Sequence, residues 1–221
     1  MRYPNFSEEK KLWKKGFKKV VGLDEAGRGP LSGPVVAAAV LIKSIRKIRA
    51  KFVDIRDVKD SKKLSPKKRE ELYKILINHP QIKWGIGKVS EKVIDKINIL
   101  EATKLAMKRA VKNLEKKIKK KKRLNLIEFL ILDGRMKLDL DILQKSIIKA
   151  DNKVFSCAAA SIIAKVSRDR MMRRYGKKYP QYGFSKHKGY ATKLHLKRLK
   201  KYGPCSIHRK SFRPVKKLLN Y

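Results

Sequence analysis

Short apolar runs alternate with polar, mostly basic segments along the chain, a pattern typical of a folded protein with both helices and strands. Three apolar runs and one weakly alternating segment predict strands at residues 20–24, 35–42, 126–132 and 83–89. The first two runs are joined by a turn rich in glycine and proline. We therefore expect them to form an antiparallel pair.

Helical spacing of apolar residues predicts longer helices over residues 66–78, 91–118 and 153–175. Ser65 and Pro66 have the residue types of an N-cap and a first helical position, which sets the start of the first of these helices. The apolar stripe predicted for the longest helix consists of Ile97, Leu100, Met107, Val111, Leu114 and Ile118.

The remaining segments are less clearly patterned. Residues 1–17 indicate a short helix or arm, residues 190–202 a further helix, and residues 140–150 match neither pattern. Taken in order, the elements run strand, strand, helix, strand, helix, strand, helix. This order predicts the α/β class, with a mixed sheet between layers of helices.

The net charge of the chain limits the classes of partner that it is expected to bind. The 221 residues include 60 Lys or Arg and 19 Asp or Glu, a formal net charge of +41, and Asp169 is the last acid in the sequence. A lysine-rich genome or a need for solubility would also raise the charge, but such a field attracts polyanions, so we expect a nucleic-acid partner. Because 42% of the residues are hydrophobic, the chain can form a core and is not a disordered basic tail.

No feature of the sequence predicts a membrane or secreted protein. No apolar run approaches the ~20 residues of a membrane-spanning helix. Residues 1–20 are too rich in lysine for a signal peptide. The two cysteines do not indicate a disulfide scaffold, so we expect a protein of the reducing cytoplasm.

Four acids are unusually placed for so basic a chain. Asp24 and Glu25 end the first predicted strand, Asp133 ends the fourth, and Asp151 precedes an apolar helix. Each acid could cap a helix or pair with one of the 60 basic residues. However, a half-buried carboxylate needs a cation beside it. Four such carboxylates in a polyanion-binding protein favour a Mg²⁺ or Mn²⁺ site, and with it a two-metal phosphodiester hydrolase.

Two other motifs indicate different chemistry. Gly27, Gly29 and Gly33 resemble a dinucleotide-binding loop, but the third glycine comes one position late and prolines interrupt the loop. A set of cysteines and histidines could bind zinc, but it lacks a second Cys-x-x-Cys pair at standard spacing. We favour neither, and expect packing, hydrogen bonding or nucleic-acid contact from Cys157, His187, His195, Cys205 and His208.

The sequence around the first two acids resembles the type 2 ribonucleases H, the ribonuclease HII family. The resemblance continues, in family order, from residue 20 to residue 213. The segments that carry it are Asp24-Glu25-Ala26-Gly27-Arg28-Gly29-Pro30, Asp60-Ser61-Lys62, Ile97-Asn98-Ile99-Leu100, Asp133-Gly134, Ala158 to Asp169, Tyr182-Gly183-Phe184, His187-Lys188-Gly189-Tyr190, Gly203-Pro204 and Ile207-His208-Arg209.

The resemblance implies a ribonuclease H-like fold, with a five-stranded mixed sheet flanked by helices and a C-terminal helical extension. Residues 1–175 would form the catalytic domain, and residues 176–221 a basic substrate-binding extension packed on it. The implied activity is hydrolysis of RNA in RNA–DNA hybrids and incision of duplex DNA at embedded ribonucleotides, which leaves 5′-phosphate and 3′-hydroxyl ends. We expect a monomer.

The resemblance also implies roles for individual residues. The family's metal-binding carboxylates, which hold two Mg²⁺ or Mn²⁺ ions, correspond to Asp24, Glu25, Asp133 and Asp151. The segment Gly27-Arg28-Gly29 matches the reader of the ribonucleotide 2′-hydroxyl, and Tyr190 matches the tyrosine that contacts the same sugar. Asp169 is expected to be an auxiliary acid. The basic residues expected to bind the substrate are Lys62, Lys186, Lys188 and Arg209.

The sequence departs from the family pattern beside two of the acids. Arg135 stands near the third acid where asparagine is usual, and Ala150 precedes the fourth where glycine is usual. A cation near the third acid could lower metal affinity or add a phosphate contact, but no carboxylate is lost. Two alternatives stay open at this point: a non-catalytic nucleic-acid-binding protein, and a two-metal DNA nuclease of the same fold.

Overall fold

A five-stranded mixed sheet forms the centre of the computed structural model, which describes residues 3–43, 58, 61, 64–118 and 127–219. In the spatial order β3-β2-β1-β4-β5, β1 pairs antiparallel with β2 and parallel with β4, β2 pairs antiparallel with β3, and β4 pairs parallel with β5. This arrangement confirms the predicted mixed sheet and its antiparallel pair. The strands are β1 (Val20–Ala26), β2 (Val35–Ile42), β3 (Ile82–Val89), β4 (Phe129–Asp133) and β5 (Leu143–Ile147).

Strand β5 falls within residues 140–150, where the sequence predicts neither a helix nor a strand. It lies at the edge of the sheet, and none of its five residues is buried. An edge strand with no buried face lacks the apolar alternation that identifies a strand in a sequence. Its assignment depends on its pairing with β4.

Helices cover both faces of the sheet. They are α1 (Ser7–Lys14), α2 (Pro66–Asn78), α3 (Glu91–Ile118), α4 (Phe155–Lys178), α5 (Phe184–His187), α6 (Lys193–Tyr202) and α7 (Arg213–Leu219). The Ser65 hydroxyl accepts a hydrogen bond from the Lys68 amide at 3.2 Å, so the predicted cap of α2 is confirmed. Helix α4 continues to Lys178, beyond the predicted end at residue 175.

Helix α3 is interrupted at Asn98, which has a φ of 64°. The Asn98 side chain accepts hydrogen bonds from the amides of Leu100 and Glu101, at 2.8 and 3.1 Å, and so caps the second part of the helix. Because the axis is broken there, Ile97 and Leu100 are exposed. Their predicted place on the buried stripe is wrong.

Strand β2 explains why an uncharged run lies at the centre of so basic a chain. All eight of its residues are buried. Alternate residues Ala38, Val40 and Ile42 pack with α2 and α4 on one face, while the residues between them pack with α3 on the other face. A β-carbon at Gly87 of β3 would lie 2.6 Å from the Ala110 backbone nitrogen, so only glycine lets α3 pack this closely.

The chain after α4 is tied to the turn between β1 and β2, residues 27–34, which we call the glycine loop. The Leu31 amide donates to the Gly189 carbonyl, the Gly33 amide to the Ile207 carbonyl, and the Arg209 amide to the Leu31 carbonyl, each at 2.8 Å. These bonds hold the C-terminal segment beside the end of β1. None of the described helices combines the length and the apolar character needed to cross a bilayer.

Candidate active site

Three acids from distant parts of the chain meet at one end of the sheet, and two of them, Asp24 and Asp133, line a cleft of about 510 Å³. Asp24, Asp133 and Asp151 each offer a carboxylate oxygen, and these oxygens lie within 4.8 Å of one another. Mg²⁺ binds oxygens at about 2.0–2.1 Å, so oxygens on opposite sides of one ion are about 4 Å apart. The cluster therefore fits a hard divalent cation.

The sheet register brings the three acids together. Parallel strands β1 and β4 pair Leu23 with Leu132, so the next residues, Asp24 and Asp133, lie side by side where the strands end. The Asp133 carboxylate also accepts a hydrogen bond from the Ala150 amide at 2.6 Å. That bond fixes the short 3₁₀ turn Ala150–Asn152, which carries Asp151 to the other two acids.

Glu25 lines the same cleft but lies outside this cluster of oxygens. Strand β1 continues through Ala26, and neighbouring residues of a strand point to opposite faces. One Glu25 oxygen lies 3.4 Å from the Arg28 guanidinium. Of the four acids expected to bind metal, the structure thus brings three together and places the fourth beside them.

The cluster is electrostatically strained without a cation. Burial, followed by the charges of Glu25 and Asp133, raises the pKa of Asp24 well above its ordinary value, against hydrogen bonds from Ser161 and the Glu25 amide. Carboxylates that oppose one another's ionisation favour a site where a cation supplies the missing positive charge.

Two buried arginines hold the glycine loop. Arg209 donates to the carbonyls of Gly27, Arg28 and Gly33, at 2.6, 2.9 and 2.8 Å. Arg168 donates to the carbonyls of Ser32 and Pro34, at 3.0 and 2.9 Å. Both side chains are 0% exposed. Arg209 is therefore wrong as a direct substrate contact, because the fold uses its guanidinium inside the protein.

The two glycines of the Gly27-Arg28-Gly29 segment differ in what surrounds them. Gly27 has a φ of +99°, and an added β-carbon would clash with the Arg168 side chain and with the Pro34 carbonyl at 2.9 Å. At Gly29 an added β-carbon would meet only the Tyr190 ring, at 4.0 Å. The fold thus requires glycine at position 27, whereas position 29 faces open space in the cleft.

Tyr190 forms the wall opposite Gly29. Its side chain lines the cleft and is 43% exposed, with the Lys165 ammonium 5.8 Å from the ring centre. Lys165 in turn forms an ion pair with Asp169 at 2.8 Å. Asp169 therefore does not line the cleft itself but orients Lys165, which does.

The other predicted substrate contacts are placed differently. Lys186 is exposed, and Lys188 is half-buried with its ammonium on the Ser185 carbonyl. Burial lowers the pKa of Lys188. Lys62 and the basic run Lys119–Arg123 lie outside the described residues.

The histidines and Cys205 are hydrogen-bonded to one another and to the backbone. His208 is 3.2 Å from the Cys205 sulfur through one ring nitrogen and 3.0 Å from His195 through the other. A bridging ring of this kind does not present converging ligands to one zinc ion. The hydrogen-bonding role expected for these histidines is confirmed.

Sequence reasoning missed Arg168 and Lys165 as parts of the site. Arg168 is the one charged residue among the buried positions of α4, which are otherwise small or apolar, and that contrast is the available signal. Lys165 has no distinguishing signal among 60 basic residues.

Comparison with known proteins places the chain in one family. A family model described as Ribonuclease HII matches residues 21–215. A ribonuclease HII of Caldanaerobacter subterraneus subsp. tengcongensis is 49% identical over 211 residues, covering 96% of this chain and 80% of that protein. A ribonuclease HII of Acetivibrio thermocellus is 50% identical over 204 residues, covering 92% of this chain and 73% of that protein. Ribonuclease H2 from Pyrococcus horikoshii OT3 superposes with a TM-score of 0.68 at 31% identity, covering 91% of this chain and 97% of that structure.

The fold and the carboxylate cluster define an enzyme with a ribonuclease H-like fold, as predicted. Within that class, the chain belongs to the ribonuclease HII family. It is therefore an endoribonuclease, a phosphodiester hydrolase that acts on RNA–DNA hybrids and depends on a divalent metal. The alternative that the chain is a non-catalytic nucleic-acid-binding protein is therefore wrong.

Proposed function

We propose that this endonuclease cleaves the RNA strand of a continuous hybrid and also incises duplex DNA at a single embedded ribonucleotide. Attack by water on the scissile phosphate, with the 3′-oxygen as the leaving group, would give products with 5′-phosphate and 3′-hydroxyl ends. One observation supports the proposal above all: Asp24 and Asp133 of the carboxylate cluster line the same cleft as Gly29 and Tyr190. A ribose at this position would therefore be contacted next to the bond that is cut.

We assign metal binding to Asp24, Asp133 and Asp151, with Glu25 as the neighbouring fourth acid. Two bound Mg²⁺ or Mn²⁺ ions would neutralise the scissile phosphate and lower the pKa of the attacking water. The chain's own contribution is to hold these carboxylates at fixed strand ends. Burial, together with repulsion from Glu25 and Asp133, raises the pKa of Asp24, and a multivalent cation at the cluster would offset both effects.

The glycine loop and Tyr190 would read the sugar. At Gly29 there is no side chain between the loop backbone and the cleft, so the main chain can reach a 2′-hydroxyl. The Tyr190 ring on the opposite wall would pack on the adjacent deoxyribose. Because Arg168 and Arg209 hold the loop carbonyls, the loop keeps one conformation before the substrate arrives.

The C-terminal extension, residues 176–221, would bind the rest of the duplex. It contains no acid, and its backbone is hydrogen-bonded to the glycine loop. We further propose a cytoplasmic monomer. Cys157 and Cys205 are both free thiols, as is usual for proteins of the reducing cytoplasm.

The experiment compares three labelled duplexes: all-DNA, DNA with one ribonucleotide, and a continuous RNA–DNA hybrid. Each is incubated with Mg²⁺, with Mn²⁺ and with EDTA, with Asp24→Asn as the inactive control. We expect metal-dependent cleavage of the last two substrates only, at the ribose. Cleavage of all-DNA duplex would support the alternative DNA nuclease of this fold, and cleavage of the hybrid alone would refute the embedded-ribonucleotide activity.

Tyr190→Ala tests the role of the ring. It should slow incision at a single ribonucleotide more than cleavage of the continuous hybrid, because only the first substrate presents a deoxyribose next to the ribose. Initial rates on the two substrates measure the ratio. An equal loss on both would make Tyr190 a packing residue.

A further inference from the structure

Three histidines are packed together behind Tyr190. His187 and His195 stack with ring centres 4.3 Å apart, and the His208 ring centre lies 5.3 Å from that of His195. His195 and His208 are 0% and 2% exposed. The proposed reaction uses none of them, yet all three come from the acid-free extension that faces the substrate.

The proton positions of His208 and His195 follow from their neighbours. His208 Nδ1 accepts from the Cys205 amide at 2.9 Å, so in the neutral ring the proton is on Nε2. That proton can be donated only to His195 Nε2, which lies 3.0 Å away. His195 therefore carries its own proton on Nδ1 and donates it to the Tyr190 carbonyl at 2.8 Å.

This chain of hydrogen bonds is consistent only with two neutral rings. If His195 were protonated, two N–H groups would face each other between the rings, and if His208 were protonated, its Nδ1–H would face the Cys205 amide N–H. Burial lowers the pKa of both rings to about 4, which keeps them neutral at physiological pH. We call the chain Cys205–His208–His195–Tyr190 the histidine relay.

The histidine relay ends on the backbone of the residue that faces the sugar. The Tyr190 amide donates to the His187 carbonyl at 3.0 Å, and the Tyr190 carbonyl also accepts from the Thr192 amide at 2.8 Å. The preceding residue, Gly189, is bonded to Leu31 of the glycine loop. The relay thus helps to set the distance between the Tyr190 ring and Gly29.

We propose that His195, in the tautomer that His208 sets, is a positioning residue for substrate selectivity, which acts by holding the Tyr190 backbone so that its ring faces Gly29 across the cleft. The proposal rests on the proposed role of Tyr190 at the junction between ribose and deoxyribose. A misplacement of about 1 Å at a reacting group can cost about 100-fold in rate. Loss of the His195 bond should therefore reduce incision at a single ribonucleotide by about tenfold or more.

The test uses a matched pair of variants at one position. In His195→Asn the side-chain amide takes the place of Nδ1 and can still donate to the Tyr190 carbonyl. In His195→Gln the amide takes the place of Nε2, so contact with His208 stays and the bond to Tyr190 is lost. Each variant keeps one of the two ring hydrogen bonds, so both should show a similar decrease in Tm.

The readout is the ratio of kcat/KM on single-ribonucleotide duplex to kcat/KM on continuous hybrid. His195→Gln should lower this ratio about tenfold, toward that of Tyr190→Ala, while His195→Asn should stay within about twofold of the wild type. A general structural defect would lower both rates together and leave the ratio unchanged.

Equal ratios for the two His195 variants would overturn the proposal. If Tyr190→Ala lowers the ratio and His195→Gln does not, the histidine relay is refuted and the role of Tyr190 stands. If Tyr190→Ala itself leaves the ratio unchanged, both fail. Should His195→Gln not fold, His195→Leu serves instead: it fills a similar space without a donor for the Tyr190 carbonyl, loses the contact with His208 just as His195→Asn does, and should lower the ratio in the same direction.

Discussion

Gly29→Ala should have opposite effects on the stability of the protein and on its activity toward the substrate. In the free protein the added methyl group would meet only the Tyr190 ring, at 4.0 Å, an ordinary van der Waals distance. Gly29 also lies outside the left-handed region of φ. Replacing a glycine by alanine at such a position stabilises a protein by about 0.4–1 kcal/mol, because the unfolded chain loses freedom. In a chain of this size that corresponds to a Tm higher by roughly 1–4 °C.

Catalysis should change in the opposite direction. If the loop backbone at Gly29 contacts the ribose, the methyl group lies between them and displaces the sugar by about 1 Å, which costs about 100-fold in kcat/KM. Gly27→Ala is the matched control. Its β-carbon would clash with Arg168 and with the Pro34 carbonyl, and its φ of +99° is strained for alanine, so Tm should fall by several degrees.

The assay combines thermal unfolding with initial cleavage rates on the single-ribonucleotide duplex for wild type and both variants. The expected result is a stable, inactive Gly29→Ala and a destabilised Gly27→Ala. A Gly29→Ala variant that folds normally and cleaves at the wild-type rate would show that no substrate group rests on this backbone. The ribose would then have to be read elsewhere.

Three further predictions follow from charge. Asp24→Asn should abolish hydrolysis, leave hybrid binding unchanged or tighter, and raise Tm in EDTA. Burial and neighbouring carboxylates raise the pKa of Asp24, so its ionisation opposes folding at neutral pH. A variant that still gained Tm on addition of Mg²⁺ would contradict the assignment of Asp24 as a ligand. The free energy of unfolding should fall by at most roughly 3 kcal/mol for each ring as pH drops from 6.5 to about 4, because His195 and His208 are protonated in the unfolded chain but stay neutral when buried. Urea midpoints measure this loss. An identical pH profile for His195→Gln would refute the prediction. Lys186→Ala should flatten the plot of log affinity against log salt by about 0.9. The control is Lys112→Ala on α3, an exposed lysine on the face of the sheet opposite α4, and it should leave the slope unchanged.

Strands β1 to β4, the main helices and the acids at strand ends could be predicted from the sequence, because these features depend on neighbouring residues. The β2 run is uncharged since both of its faces are covered, and Ser65 with Pro66 sets the start of α2 by local capping. Asp24 and Asp133 were identifiable because a carboxylate that ends an apolar strand is unusual in a chain with 60 basic residues.

Only the tertiary structure decided which cations are inside the protein. Arg209 follows a histidine in an acid-free segment, and in the sequence it is indistinguishable from the surface cations around it. Its partners, the Gly27 and Arg28 carbonyls, precede it by 182 and 181 residues, and such a contact depends on packing that no local pattern encodes. The sequence likewise could not determine which ring nitrogens of His195 and His208 carry the protons. Those positions depend on the Tyr190 carbonyl at one end of the pair and the Cys205 amide at the other, which only the fold brings there. The sequence therefore determined the chemistry of the family. The packing of the C-terminal segment on the glycine loop decided how the walls of the catalytic cleft are held in place.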